Sequence, residues 1–169
     1  MSGLPKAAAL LVLSGLVLPL GEVAASDPCD GTEGSLASIA KALDEGRWSD
    51  AEAFLYPLDP SHSDCVGVVH GLARLRAAQG DPDGAERLYS RALTLAPEDA
   101  ASYAIFARFQ LSRGLMPQAA FLTSQALSID PDCPEALVIQ GKIMGERGNY
   151  GDARAVLEKA VALAPDNPD

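Results

Sequence analysis

Pro97, Pro131 and Pro165 stand 34 residues apart, and each closes a similar phrase: ALTLAP, ALSIDP and AVALAP. A fixed interval of ~20–50 residues means that one small structural unit is written several times. The rest of the chain keeps the interval. Gly80, Gly114 and Gly148 follow it, as do Ala85, Ala119 and Ala153, and Ala92, Ala126 and Ala160. One step back finds Gly46 and Ala51, which predicts an earlier fourth unit. That unit has Leu58 at its second alanine position, and Pro60 arrives three residues early, so it degenerates toward its end. A unit this short cannot bury its own apolar face, so neighbouring copies must stack.

Within a unit the apolar spacing is helical. Over 135–147 apolar residues recur at Leu137, Ile139, Ile143 and Met144, with Gly141 between them. Gly148 suits a left-handed helix cap, and Asn149 begins a turn. Over 152–163, Ala153, Val156, Leu157, Ala160, Val161 and Leu163 form one stripe, which Pro165 stops. The same reading predicts helices near 34–45 and 49–57, 66–79 and 83–95, and 100–113 and 117–129. The recurring alanines belong where two helix backbones come close. A bulky residue follows the glycine by two at Trp48, Met116 and Tyr150, with Pro82 the exception. It is expected to plug the corner between the helices.

A 34-residue helix–turn–helix carrying GDPDGAERLYSRALTLAP and GNYGDARAVLEKAVALAP resembles the tetratricopeptide repeat. Unit two offers Val69, Leu72, Ala73, Ala85, Tyr89, Ala92 and Pro97 to that family's pattern. Unit three offers Tyr103, Phe106, Ala107, Ala119, Ala126 and Pro131, with Thr123 in place of a bulky residue. Unit four offers Leu137, Gly141, Ala153, Leu157, Ala160 and Pro165, with Gln140 in place of a leucine. The resemblance implies an all-α fold: a right-handed α-solenoid of about four units, the first degenerate, forming a repeat domain over 34–167. It also implies a non-enzymatic interaction scaffold whose first helices line a concave groove for a peptide or partner helix.

On those first helices Arg74, Arg108 and Lys142 stand 34 apart, and by resemblance that register faces the groove. Three cations in a row favour an acidic, extended segment of a partner protein. Ile105, Leu111, Val138 and Ile139 are the expected apolar contacts, with His70 on the same face, while Glu135 and Glu146 weaken the field. The rival reading is a row of solvated helix charges. The family's Lys/Asn carboxylate clamp is not visible, since the corresponding positions hold His70 and Arg74, then Ala104, Ile105 and Arg108.

Composition narrows the classes further. With 48% hydrophobic residues the chain is not of disordered type, and a net charge of −10 disfavours nucleic acid as a partner. The sequence holds no Gly-rich phosphate loop, no GxSxG, and no Cys/His set that recurs in register, and its carboxylates fall mostly at helix starts and turns. The expectation is therefore no enzyme, no catalytic residue, no cofactor, no metal and no small-molecule substrate. SHSDC, over 61–65, reads as a polar turn between helices.

Lys6, the 14 apolar or small residues 7–20, and Val23-Ala24-Ala25 have the layout of a secretory signal peptide over 1–25, cut before Ser26. The run is short of the ~20 residues that span a bilayer. A short N-terminal segment, 26–33, follows. The protein is expected to be exported, periplasmic or extracellular; the alternative is an inner-membrane anchor formed by residues 7–20, in which case it meets the membrane. No polar helix caps APDNPD at the C-terminal end. The second functional expectation is thus an N-terminal docking part of a longer or multi-subunit assembly, secretion or envelope-processing complex.

Export places Cys29, Cys65 and Cys133 where disulfides persist. Cys65 and Cys133 share a register two units apart, roughly 20 Å at the usual helix spacing, against a limit of ~7 Å for a bridge. Cys29 and Cys65 precede neighbouring first helices, which predicts a Cys29–Cys65 bridge with Cys133 free; the alternative is three free thiols. The cleavage reading has its own check: protein recovered from the host should begin at Ser26 by mass spectrometry, and an intact Met1 in a membrane fraction would favour the anchor.

Overall fold

The chain reverses direction at four glycines. Gly46, Gly80, Gly114 and Gly148 have φ of 68°, 79°, 74° and 83°, a region that costs a residue with a side chain ~1–2 kcal/mol. Beyond each glycine the next amide reaches back over the helix end: Arg47 N–H to the Ala42 carbonyl, Asp81 to Arg76, Leu115 to Gln110 and Asn149 to Met144, at 2.7–3.0 Å. This closure satisfies carbonyls that the helix leaves open. The structure is a computed structural model that describes residues 28–58 and 62–164, with the backbone of 12–13 and 16–17. The cleavage site before Ser26, Pro60 and Pro165 lie outside the described residues.

Among the described residues eight helices follow one another: α1 (Glu33–Asp44), α2 (Trp48–Leu58), α3 (Val66–Ala78), α4 (Pro82–Leu95), α5 (Ala100–Ser112), α6 (Met116–Ile129), α7 (Pro134–Glu146) and α8 (Tyr150–Leu163). Within the N-terminal apolar run, β1 (Val12–Leu13) and β2 (Leu16–Val17) form a two-residue antiparallel ladder. No helix among the described residues is long and apolar enough to cross a membrane. The helices pair as α1/α2, α3/α4, α5/α6 and α7/α8, giving an all-α helical-repeat solenoid.

The second helices begin one or two residues before the expected starts, at Trp48, Pro82, Met116 and Tyr150. That difference explains Pro82. The first helical position has no intrahelical partner for its N–H, so proline is welcome there. The plug holds for Met116, which is half-buried against the core, but not for Tyr150, which is 74% exposed and covers no corner. At the other end of these helices Ala96, Asp130 and Ala164 all have φ of −133°, as the following prolines require.

Packing within a unit rests on small residues. Ala51, Ala85, Ala119 and Ala153 of the second helices are buried, as are Ala92, Ala126 and Ala160. The facing position on the first helices is Ala73, Ala107 and Gly141; a Cβ on Gly141 would lie 2.6 Å from Leu157. Unit one has Ile39 there instead.

Stacking between units depends on three positions from three helices. Ile39 and Leu55 of unit one meet Gly71 of unit two, where a Cβ would lie 2.8 Å from Leu55 and 3.2 Å from Ile39. In register, the next joint has Ala73, Tyr89 and Ile105, and the last has Ala107, Thr123 and Ile139. The middle set is the bulkiest. Accordingly α1 packs on α3 and α5 on α7, while α3 and α5 make no comparable backbone contact. The buried side chains form two clusters. One spans α1 to α3; the other runs from Ala73 and Tyr89 to Ile143; half-buried Leu88 touches both.

Cys29 and Cys65 stand at disulfide distance, Cα to Cα 4.8 Å. The Thr32 hydroxyl donates to the Cys29 carbonyl at 2.7 Å and fixes the approach to α1. Cys133 is buried with a free thiol, whose pKa is pushed up mainly by burial. Residues 62–65 form a turn, with Cys65 N–H on the His62 carbonyl at 3.0 Å; Ser61 lies outside the described residues. The bridge adds a covalent tie to the packing of Ile39 and Leu55 on unit two. Cys29→Ser should cost ~2–4 kcal/mol, with hydrogen-exchange protection lost first in α1 and α2. Non-reduced, denatured protein should show one free thiol per chain; three would contradict the bridge.

Candidate functional site: the groove of first helices

Two adjoining pockets are lined by first helices alone. One, of about 350 Å³, lies between α5 and α7 and takes Arg108, Leu111, Glu135, Val138, Ile139 and Lys142 into its wall. The other joins α1, α3 and α5, with Ile39, His70, Gly71, Arg74, Ile105 and Arg108 around it. Arg108 borders both, so they form one groove across the four first helices. The eight residues expected from register all line it. The helical period explains why: Ala104, Arg108 and Ser112 follow at i and i+4 on one stripe, with Leu111 beside them.

The residues differ in what they can offer. Among the described residues, neither Arg108 nor Lys142 forms an ion pair. Arg74 does: its Nη2 lies 2.6 Å from Asp44 Oδ1, at the end of α1. The cation row is thus two open charges and one partly neutralised one. Ile139 is only 3% exposed and belongs to the core, so it floors the pocket rather than reaching a partner. Ile105, Leu111 and Val138 are half-buried and present apolar surface. Glu135 stands in the pocket wall, where it opposes the cations.

His70 lines the groove as expected and is half-buried there. Its Nε2 is buried without a hydrogen-bond partner among the described residues. Its ring lies 6.3 Å from Tyr89. Burial pushes its pKa below the ordinary value of 6.5, partly opposed by Asp99.

Tyr89 is the residue that register reasoning missed. It lies at the floor of the gap between α3 and α5, bordered by Trp48, Arg74, Ile105 and Arg108. It stacks on Phe106 at 5.4 Å and meets Phe109 at 4.9 Å. Its pKa is pushed up to about 12 by burial, against the pull of Arg74 and Arg108. The available signal was size: at this ladder position the other units hold Leu55, Thr123 and Leu157.

His70 sets a pH dependence. With its folded pKa below 6.5, the unfolded chain binds the proton more readily, so stability is full above pH 6.5 and falls as pH drops through and below it. The urea midpoint should decrease from pH 7 to pH 5.5, and His70→Leu should flatten that decrease. An unchanged slope in the variant would refute the assignment.

Comparison with known proteins bears on this architecture. No curated protein matches the sequence. The chain is similar in structure to a thermophilic TPR protein of Thermus thermophilus, at a TM-score of 0.65 and 17% identity over 78% of this chain and 74% of that one. It is also similar to PilF of Pseudomonas aeruginosa, at 0.66 and 15% over 83% of this chain, which spans 64% of PilF. A third is YrrB, a TPR protein with an unusual peptide-binding site, at 0.54 and 16% over 79% of this chain and 69% of that one. Identities this low carry the fold alone. In sequence, two tetratricopeptide-repeat family models match residues 76–143 and 134–167, more than half of the chain together. With the 34-residue period, the glycine closures and the alanine contacts, these matches make the chain a member of the tetratricopeptide-repeat family.

Proposed function

We propose that the protein is a non-enzymatic interaction scaffold that acts in the cell envelope and holds an acidic, extended segment of a partner protein in its concave groove. The observation that carries this reading is the continuous groove of first helices, with the open charges of Arg108 and Lys142 beside the half-buried Ile105, Leu111 and Val138. An extended strand advances ~3.3 Å per residue, so every third side chain meets a cation on helices spaced ~10 Å apart. Exposed ion pairs supply ~0.2–1 kcal/mol each, and a millimolar complex needs about 4 kcal/mol. Apolar contacts must therefore supply the larger part, at ~25 cal/mol per Å² covered.

The envelope location rests on the signal-like residues 1–25 and on the paired Cys29 and Cys65, which suit an oxidising compartment. The proposed organisation is a signal segment over 1–25, a short segment over 26–33 and the repeat domain over 34–167. A second reading, a docking part of a larger complex, draws support from the exposed Tyr150, Val161 and Leu163 of α8.

The test uses fluorescent peptides of repeating Glu-Leu-Gly and repeating Lys-Leu-Gly. The acidic peptide should bind, weaken with salt, and lose ~10-fold or more in affinity with Arg108→Glu and Lys142→Glu combined, at two ion pairs of up to ~1 kcal/mol each plus the new repulsion. Arg74→Glu alone should do less to binding. Equal binding of both peptides, or an unaffected double variant, would refute the groove.

A further inference from the structure

The repeat supplies its own control for each surface position, and one surface departs from it. Positions 87, 121 and 155 are equivalent and exposed, and hold Arg87, Phe121 and Ala155. Arginine and alanine suit water there; Phe121 leaves 63% of its surface exposed. Positions 76, 110 and 144 are likewise equivalent, and hold Arg76, Gln110 and Met144. Gln110 is 3% exposed, and its Oε1 has no hydrogen-bond partner among the described residues. A buried acceptor left unpaired costs ~1–3 kcal/mol. Turning the amide over does not help. Its Nε2 donates to Glu86 Oε1 at 3.4 Å, and the reverse orientation would set two acceptors against each other.

The two departures meet in one groove of about 430 Å³ between α4 and α6, bordered by Glu86, Phe106, Gln110, Pro117, Phe121 and Leu122. It shares no residue with the two pockets of the concave groove. Its walls are mainly apolar, with Ser90 and Gln118 also at its border, and its charged group is a carboxylate. The unmet need is a hydrogen-bond donor for Gln110 Oε1; an apolar stem suits the walls, and a cation suits the Glu86 carboxylate, which already holds Arg113 and keeps further lone pairs. The molecule already contains one such arrangement. Arg113 Nη1 donates to Glu86 Oε2 at 2.6 Å, and its guanidinium lies 5.4 Å from the centre of the Phe109 ring. Phe121 offers a second ring in reach of the same carboxylate, which has acceptor capacity for a second guanidinium.

We propose that this groove binds an arginine side chain of a partner protein. The guanidinium stacks on Phe121 and donates to Glu86 and to Gln110 Oε1, while its methylene stem lies along Leu122 and Pro117. Gln110 swings its amide toward the groove to accept, a motion that its broad terminal torsion permits. Lysine fits less well, because it has no planar face to stack and no fork to share between two acceptors. The net charge of −10 draws a cationic segment to the molecule. This surface stands apart from the proposed concave site and does not depend on it.

The probe is the peptide Gly-Leu-Arg-Leu-Gly, titrated into the isotope-labelled chain and followed by NMR, beside its neutral citrulline isostere. The arginine peptide should give saturable shifts of the Phe121 ring and the Gln110 side-chain amide. The citrulline peptide should bind ~5-fold or more weakly, the loss of a charge-assisted contact. Phe121→Arg and Gln110→Met borrow the residues that the repeat itself uses at 87 and 144. Each should keep the fold by circular dichroism and weaken binding ~5-fold or more. The combined change of Arg108 and Lys142 to Glu should leave it intact. Equal binding of the two peptides, shifts confined to the first-helix groove, or full binding by Phe121→Arg would overturn the proposal. Should a variant fail to fold, the shift map of the unaltered protein and the citrulline comparison still decide.

Discussion

Everything in this structure depends on how closely two helix backbones approach at a few small residues. Ala73 against Ala85 and Ala92, and their counterparts one period later, let each pair of helices close to contact. Interiors are packed like molecular crystals, so an added side chain at such a place has nowhere to go. Closure of the pair leaves apolar residues on its outer face, and that face is covered only by the first helix of the next unit. Stacking follows, and stacking is what sets the first helices in a row with their charged register turned the same way.

The same constraint explains where the solenoid is irregular. At each joint the gap between first helices reflects the combined bulk of a first-helix residue, a second-helix residue and a residue of the following first helix. Gly71 offsets Ile39 and Leu55, and Thr123 offsets Ile139, but nothing offsets Tyr89 and Ile105. The opening between α3 and α5 is the consequence. It brings Arg74, Arg108, Tyr89 and Trp48 to one place. Unit one, which lacks a small residue at position 39, packs on unit two through Ile39 and Leu55 and carries the covalent tie from Cys29 to Cys65 as well.

Charge is arranged against the overall balance. The chain is strongly acidic, yet Arg108 and Lys142 keep open guanidinium and ammonium groups toward the groove, while Arg47, Arg91, Arg113 and Arg154 are each paired with a carboxylate elsewhere. A local field of opposite sign to the net charge gives selectivity to a surface without requiring high affinity. Phe121 and Gln110 form a separate surface of the other polarity, with acceptors rather than cations beside the apolar contact.

Much of this was legible in the sequence. The 34-residue period located every described helix to within about two residues, the register placed all eight expected residues around the groove, and the order of the helices picked out Cys29 and Cys65 among three cysteines. Periodicity can do this because it determines the side of a helix on which a residue lies. It does not determine how far apart neighbouring helices stand, nor where a long side chain ends. Those depend on volumes summed across three helices and on partners far away in sequence. Only the tertiary structure, therefore, decided that Arg74 would meet Asp44, that His70 would sink beside Tyr89, that Ile139 would belong to the core, that Tyr150 would stand in solvent, and that Phe121 would share a groove with Gln110, whose Oε1 has no partner among the described residues.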